Sequence, residues 1–252
     1  MKIRVLGCHG SEFSGTRLCS FLIGEAVALD AGAITSTLTK EEQEQLKYIL
    51  ITHSHLDHIK DIAFLADNLQ AKKRDPINIV SIDSVLEILK AHFLNGKIWP
   101  DFTKLPAPNS PILKYLPLPP DQPAAIGELT VRPIKVSHTV PAVAYEIKEG
   151  DSTVIFSGDC GANCMLCEAA NSAKNLKALF VSVSFPNNME EIANVSRHLT
   201  PRLLENEIKK LKVTVPIYAY HLKTQFEEEI KQELTTLLPQ VKVLNEKETL
   251  NF

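Results

Sequence analysis

Long apolar runs are absent from this sequence, and so is any extended block of Lys and Arg. A helix needs ~20 consecutive apolar residues to cross a bilayer, so no membrane span is expected. A formal net charge of -3 without a basic block leaves no electrostatic footprint for long nucleic acids. The opening residues, Met1-Lys2-Ile3-Arg4-Val5-Leu6, are too few and too charged for the apolar centre of a secretory leader and read as a first strand. Cysteine is sparse, five residues with no evident pairing framework, which fits a reducing compartment. These absences lead us to expect a cytoplasmic protein whose partner is a small molecule. What is present is a chain of 252 residues, 44% of them hydrophobic, enough for one large domain spanning residues 1–252.

Within it stands one dense cluster: Thr52-His53-Ser54-His55-Leu56-Asp57-His58, directly after the apolar run Tyr48-Ile49-Leu50-Ile51. His53 and His55 are two apart, so in extended geometry both rings leave the same face, while Asp57 and His58 follow where the chain turns. One such His would be unremarkable in a polar loop. Four ligand-type residues at this spacing point to a cation, because neutral imidazole and carboxylate are what hydrolytic zinc sites use.

Around the cluster the chain alternates strand and helix patterns. Leu18 to Ile23 and Ala26 to Leu29 form a hairpin turning at Gly24-Glu25, closed by Asp30-Ala31-Gly32. Asp30 has two readings, an Asx-type turn or a carboxylate that accepts from a ligand His and orients it. Thr39 with Glu42 predicts a capping box and a helix leading into the cluster's strand. Ile59, Ile62, Ala63, Leu65, Ala66 and Leu69 repeat at helical spacing, which predicts a helix behind His58 with its N-terminus towards the ligands. A strand at 77–82 and a helix at about 83–93 complete a βαβα passage and argue for an α/β layered fold.

Eight of the fifteen prolines lie between Trp99 and Pro123. That density predicts an irregular arm at about 96–125 that packs through Trp99, Phe102 and Tyr115. It is either a covered surface loop or a lid or homodimer contact that brings the sole Trp, Trp99, near a substrate. Beyond the arm the first half's grammar returns. Strands at 129–136, 142–147 and 153–156 lead to Ser157-Gly158-Asp159-Cys160-Gly161, a second Asp-x-Gly after an apolar run, and Pro216 to Tyr220 ends in His221. His138 also follows a strand.

His-Ser-His-Leu-Asp-His at 53–58, His138, Gly-Asp-x-Gly at 158–161 and His221 together resemble the metallo-β-lactamase fold of binuclear hydrolases. The resemblance implies a four-layer αββα sandwich with two divalent ions, zinc first with manganese or iron compatible. By position it implies His53, His55 and His138 on one ion, Asp57, His58 and His221 on the other, Asp159 bridging, and Asp30 supporting. Within that superfamily, His55 to His58, Ser184-Phe185-Pro186-Asn187, and His198-Leu199-Thr200-Pro201 with His221-Leu222-Lys223 resemble class II cyclic-nucleotide phosphodiesterases. The implied reaction opens a 3′,5′-cyclic nucleotide to the 5′-nucleotide. His198, as proton donor, and Asp57 are the catalytic candidates, with a helix cap as the alternative role for His198; Ser184 and Trp99 are the candidate substrate contacts. Three positions depart from the pattern: Ser182 stands where an acidic residue is expected, Thr224 where Pro is usual, and Lys60-Asp61 where a small residue follows.

Cys160, Cys164 and Cys167 have the C-x₃-C-x₂-C spacing of an iron-sulfur site, but ordinary half-buried thiols are the simpler reading beside Asp159. His92 reads as a helix-surface residue and Arg17 as a surface charge; nothing in the sequence decides the role of His9. Two rival functions stand beside the phosphodiesterase. One is a tRNA 3′-processing ribonuclease, which would need a basic surface and a gripping extension. The other is a catalytically weak nucleotide or metal sensor. Thiolester or lactone hydrolysis is a third, weaker reading.

Overall fold

The computed structural model describes residues 1–70, 75–162 and 165–252. Its short apolar segments build two mixed seven-stranded sheets. The first runs, edge to edge, through Thr249–Asn251, Lys2–Gly7, Ser20–Ile23, Val27–Leu29, Tyr48–Leu50, Ile77–Ser81 and Leu113–Pro117. The second runs through Val241–Val243, Ile217–Tyr220, Leu176–Ser182, Ser152–Phe156, Ala142–Glu149, Leu129–Val136 and Ala124–Ile126. In each sheet antiparallel pairing switches to parallel at one strand, Val27–Leu29 in the first and Ser152–Phe156 in the second. The two sheets are therefore built to one plan, as the repeated sequence grammar suggests.

The sheets face each other across an aromatic core. Phe156 and Phe180 stack at 4.1 Å, and Phe21 of the facing sheet stands 5.0 Å from Phe156 and 5.4 Å from Tyr220. Tyr145 is fully buried among them, its hydroxyl donating to the Ile51 and Val80 carbonyls of the opposite sheet, so a polar group is placed in the core without losing its hydrogen bonds. Helices Leu56–Leu69 and Asp83–His92 cover the outer face of the first sheet; helices Leu166–Ser172, Pro201–Ile208 and Glu227–Leu237 cover that of the second. The result is the expected αββα order. No helix among the described residues is long and apolar enough to cross a membrane.

Two expectations are corrected. The Pro-rich arm is not irregular throughout: Leu113–Pro117 pairs in parallel with Ile77–Ser81 as the sheet's last strand. Its first four residues carry no proline, and an edge strand tolerates Pro117 at its end because no further strand needs that N–H. The helix after the histidine cluster begins at Leu56, ahead of His58, with His55 as its N-cap. Asp57 and His58 thus occupy its first turn, where the helix dipole favours a carboxylate. The Thr39/Glu42 capping box is present as expected.

Candidate metal centre

Two backbone seams join the sheets at one rim. On one side the Thr52 carbonyl accepts from Val143 N at 2.9 Å; on the other the Cys8 carbonyl accepts from His221 N at 2.6 Å. The seams demand close approach, and glycine supplies it. A Cβ on Gly158, at φ 58°, would fall 2.8 Å from the Val143 carbonyl and 3.0 Å from Thr52 Cβ. One on Gly10 would fall 2.7 Å from the His221 ring. Asp30 and His221 themselves hold φ of 54° and 65°, a conformation that L residues adopt at a cost of about 1 kcal/mol or more. Such strain persists where surrounding hydrogen bonds over-determine it.

Between the seams the sequence candidates converge. His53 Nε2 and His138 Nε2 lie 3.0 and 3.2 Å from His55 Nδ1. His221 Nε2 lies 3.3 Å from His58 Nε2 and 3.3 Å from Asp57 Oδ2. Asp159 Oδ2 stands between the two groups, 3.8 Å from His53 Nε2, 3.5 Å from His58 Nε2 and 3.3 Å from His221 Nε2. Two nitrogens each about 2.05 Å from a tetrahedral zinc stand about 3.3 Å apart, so these separations fit ligands that share an ion.

Hydrogen bonds behind the rings decide what faces inward. His58 Nδ1–H donates to Asp30 Oδ2 at 2.7 Å. His53 Nδ1–H donates at 3.0 Å to Thr52 Oγ1, whose own proton goes to Asp30 at 2.9 Å, and Thr52 N donates to Asp30 Oδ1 at 2.8 Å. His138 Nδ1–H donates to the Arg197 carbonyl at 3.2 Å. With the rear nitrogens protonated, the neutral rings of His53 and His138 present bare Nε2 lone pairs to the centre, and His58 would do so once an ion displaces its second proton. Asp159 is 1% exposed, yet its Oδ1 has no hydrogen-bond partner among the described residues. A buried carboxylate oxygen without a donor is costly unless a cation takes it. Nitrogen and oxygen donors with no thiolate among them suit zinc, manganese or iron, so the residues fit two divalent ions in the groups His53–His55–His138 and Asp57–His58–His221.

Burial first, then the neighbouring His58, holds His53 well below the usual imidazole range; burial also lowers His55 and His138. His58 goes the other way. Burial works against its charge, but the carboxylates of Asp30, Asp57 and Asp159 raise it well above its ordinary value. Burial likewise opposes the ionised form of Asp159, yet the imidazoles of His221, His58 and His198 hold its carboxyl well below the carboxylate range.

The remaining candidates are placed as follows. Asp30 accepts from His58 and Thr52 and so takes the orienting geometry, not that of an Asx turn. Thr52, which sequence reasoning passed over, is the link through which Asp30 also reaches His53; its only signal was its place at the head of the cluster. His198 stands with Nδ1 3.8 Å from Asp159 Oδ2, and burial pushes it down to about 3. The capping alternative for His198 is excluded, because Thr200 accepts from Leu203 N and caps that helix. Ser184 is fully buried, its hydroxyl 2.9 Å from His221 Nδ1 and 3.1 Å from His198 Nδ1. Trp99 is held against the helix Leu56–Leu69, its indole N–H donating to the Ala63 carbonyl and its ring 5.4 Å from Phe64.

The buried Ser182 stands in the place of the expected acid, and its Oγ has no hydrogen-bond partner among the described residues. Asp61 accepts from Thr35 N at 2.7 Å and Lys60 pairs with Glu12. His9 is flanked by Glu246 and Glu227, and Arg17 pairs with Glu246. Cys160 is buried in the apolar cluster outside the second sheet, and the Cys167 thiol donates to the Glu207 carbonyl. Cys164 lies outside the described residues.

A family model described as the β-lactamase superfamily domain matches residues 29–219. The protein YhfI of Bacillus subtilis is 26% identical over 170 residues, 63% of this chain and 64% of that protein. Its crystal structure, titled as a metallo-β-lactamase fold protein, is similar with a TM-score of 0.80 at 21% identity, covering 99% of both chains. The 3′,5′-cyclic-nucleotide phosphodiesterase of Schizosaccharomyces pombe is 24% identical over 202 residues, 72% of this chain and 56% of that protein. The crystal structure of unliganded yeast PDE1 is similar with a TM-score of 0.85 at 19% identity, covering 100% of this chain and 99% of that one. The chain thus spans less than two thirds of the curated relatives it matches in sequence, and the structural likenesses speak for the fold.

Proposed function

The chain belongs to the β-lactamase superfamily, and from that premise we propose that it is a binuclear-metal phosphodiesterase hydrolysing a 3′,5′-cyclic nucleotide to the 5′-nucleotide. The observation that carries the reading is the gathering of His53, His55 and His138 and of Asp57, His58 and His221 into two groups beside Asp159, whose Oδ1 has no hydrogen-bond partner among the described residues. The likeness to the fission-yeast phosphodiesterase supports the substrate class.

Two divalent ions at these residues would supply an activated water at neutral pH and offset charge on the phosphorus oxygens. The chain's own groups do the rest. Asp30 and Thr52 lock the ligand rings so that little reorganisation accompanies binding. His198, neutral at pH 7 because burial pushes it down to about 3, would offer a ring N–H as a hydrogen bond to the departing ribose 3′-oxygen. As a neutral imidazole it would stabilise the developing oxyanion by that hydrogen bond, with water supplying the final proton. Lys223 supports an anionic substrate. It is half-buried, with its Nζ 3.3 Å from the Gly10 carbonyl and 5.4 Å from the centre of the Phe185 ring. That ring in turn lies 5.7 Å from His198. No carboxylate pairs with Lys223 among the described residues.

The test is chromatographic identification of products after metal-loaded and chelated protein meet cAMP, cGMP, a 2′,3′-cyclic nucleotide and a small precursor tRNA. A 5′-nucleotide formed from cAMP or cGMP only by the metal-loaded protein is expected. Cleavage of the tRNA alone would transfer the site to RNA processing, and tight nucleotide binding without cleavage would make it a sensor.

A further inference from the structure

The hydroxyl of Ser184 connects two imidazoles that belong to different tasks. Both contacts are of hydrogen-bond length, and the serine is sealed from solvent. Its backbone is fixed as well: its N–H donates to the Leu199 carbonyl at 3.0 Å, beside His198, and its carbonyl accepts from Lys223 N at 3.4 Å, beside His221. A serine hydroxyl has one proton to give and lone pairs to accept with. Between two Nδ1 atoms it therefore donates to one and accepts from the other.

Which way it points follows from His221. That ring turns Nε2 towards Asp57 Oδ2 and Asp159 Oδ2, both at 3.3 Å, where the proposed ion would take its lone pair. A ring that gives its Nε2 lone pair to a cation carries its proton on Nδ1. His221 Nδ1–H then donates to Ser184 Oγ, and among the described residues the Ser184 proton has one acceptor left, His198 Nδ1. A neutral His198 is thereby required to carry its own proton on Nε2.

We propose that Ser184 is a positioning residue: with a cation on His221, its hydroxyl sets neutral His198 in the Nε2–H tautomer. No proton is gained or lost along this chain; only its direction is fixed. The inference deepens the functional reading and rests on it for the role of His198, but the tautomer itself is independent of any substrate. It also gives Ser184 a place that its burial allows, behind the reacting groups.

The direct test is long-range ¹H–¹⁵N NMR of the histidine ring nitrogens in zinc-loaded wild-type protein, with no substrate added. The Nε2–H pattern is expected for His198; the Nδ1–H pattern would overturn the proposal and needs no variant to do so. Ser184→Thr keeps the hydroxyl and should keep the pattern. Ser184→Ala should give a mixture of tautomers at unchanged zinc content, and an unshifted Nε2–H pattern there would also overturn it. If the enzyme hydrolyses cyclic nucleotides, S184A should lower kcat by about tenfold with KM nearly constant, less than the loss of His198 itself. S184T should restore it. Should no cyclic nucleotide be cleaved at all, the NMR result still stands or falls by itself.

Discussion

Asp30 and Asp159 hold the same place in the two sheets. Each follows the strand at which pairing switches to parallel, each heads an Asp-x-Gly, and each is almost fully buried. Their oxygens have opposite fates. Both Asp30 oxygens accept from protein donors, His58 Nδ1, Thr52 N and Thr52 Oγ1. Asp159 has one oxygen with no donor among the described residues and the other facing the Nε2 atoms of three ligand-type histidines. One carboxylate is satisfied by the chain and aims its neighbours; the other is free to take a cation. The lesson is that position in a repeated plan makes a carboxylate available, while the donors around it decide whether it supports or binds.

Substitutions sharpen that contrast. Asp159→Ala should have the largest effect, loss of at least one of two ions by elemental analysis and of all measurable hydrolysis; retention of both ions would remove Asp159 from the bridge. Asp30→Asn should leave both ions bound at saturation but weaken metal affinity about 10–100-fold in a chelator competition, the usual range for an orienting partner. An effect as severe as that of D159A would erase the distinction. Thr52→Val keeps shape and removes one relay, so a smaller loss of affinity, about tenfold or less, is expected in the same competition. A subtler difference lies in protons. At pH 7 the raised His58 holds one that an ion must displace, whereas the lowered His53, His55 and His138 hold none. Filling the Asp57–His58–His221 group should therefore release a proton, and filling the other group none, as calorimetry in buffers of different ionisation enthalpy can count. The release should fade as pH rises past the His58 value, since the proton is then already gone.

Much of this centre is legible along the chain because its densest part is local. Six consecutive residues carry four ligand-type side chains, and the two-residue alternation of His53 and His55 followed by a helical period needs no knowledge of the rest. His138 and His221 show only as histidines at strand ends; the family pattern, not their own surroundings, singles them out. Asp30 keeps two readings in sequence because the donors that settle it, Thr52 and His58, are 22 and 28 residues away. Thr52 and the bridging role of Ser184 are invisible for the same reason, since a hydrogen bond across 37 residues leaves no local period. The strand Leu113–Pro117 is masked by the prolines around it: local composition speaks against a strand, and only the open edge beside Ile77–Ser81 makes one.

The most direct test of the centre is anomalous diffraction at the zinc edge from crystals of the zinc-loaded protein. Two peaks are expected, one ringed by His53, His55 and His138 and one by Asp57, His58 and His221, with Asp159 between them. A single peak away from Asp159, or none at this rim, would contradict the account.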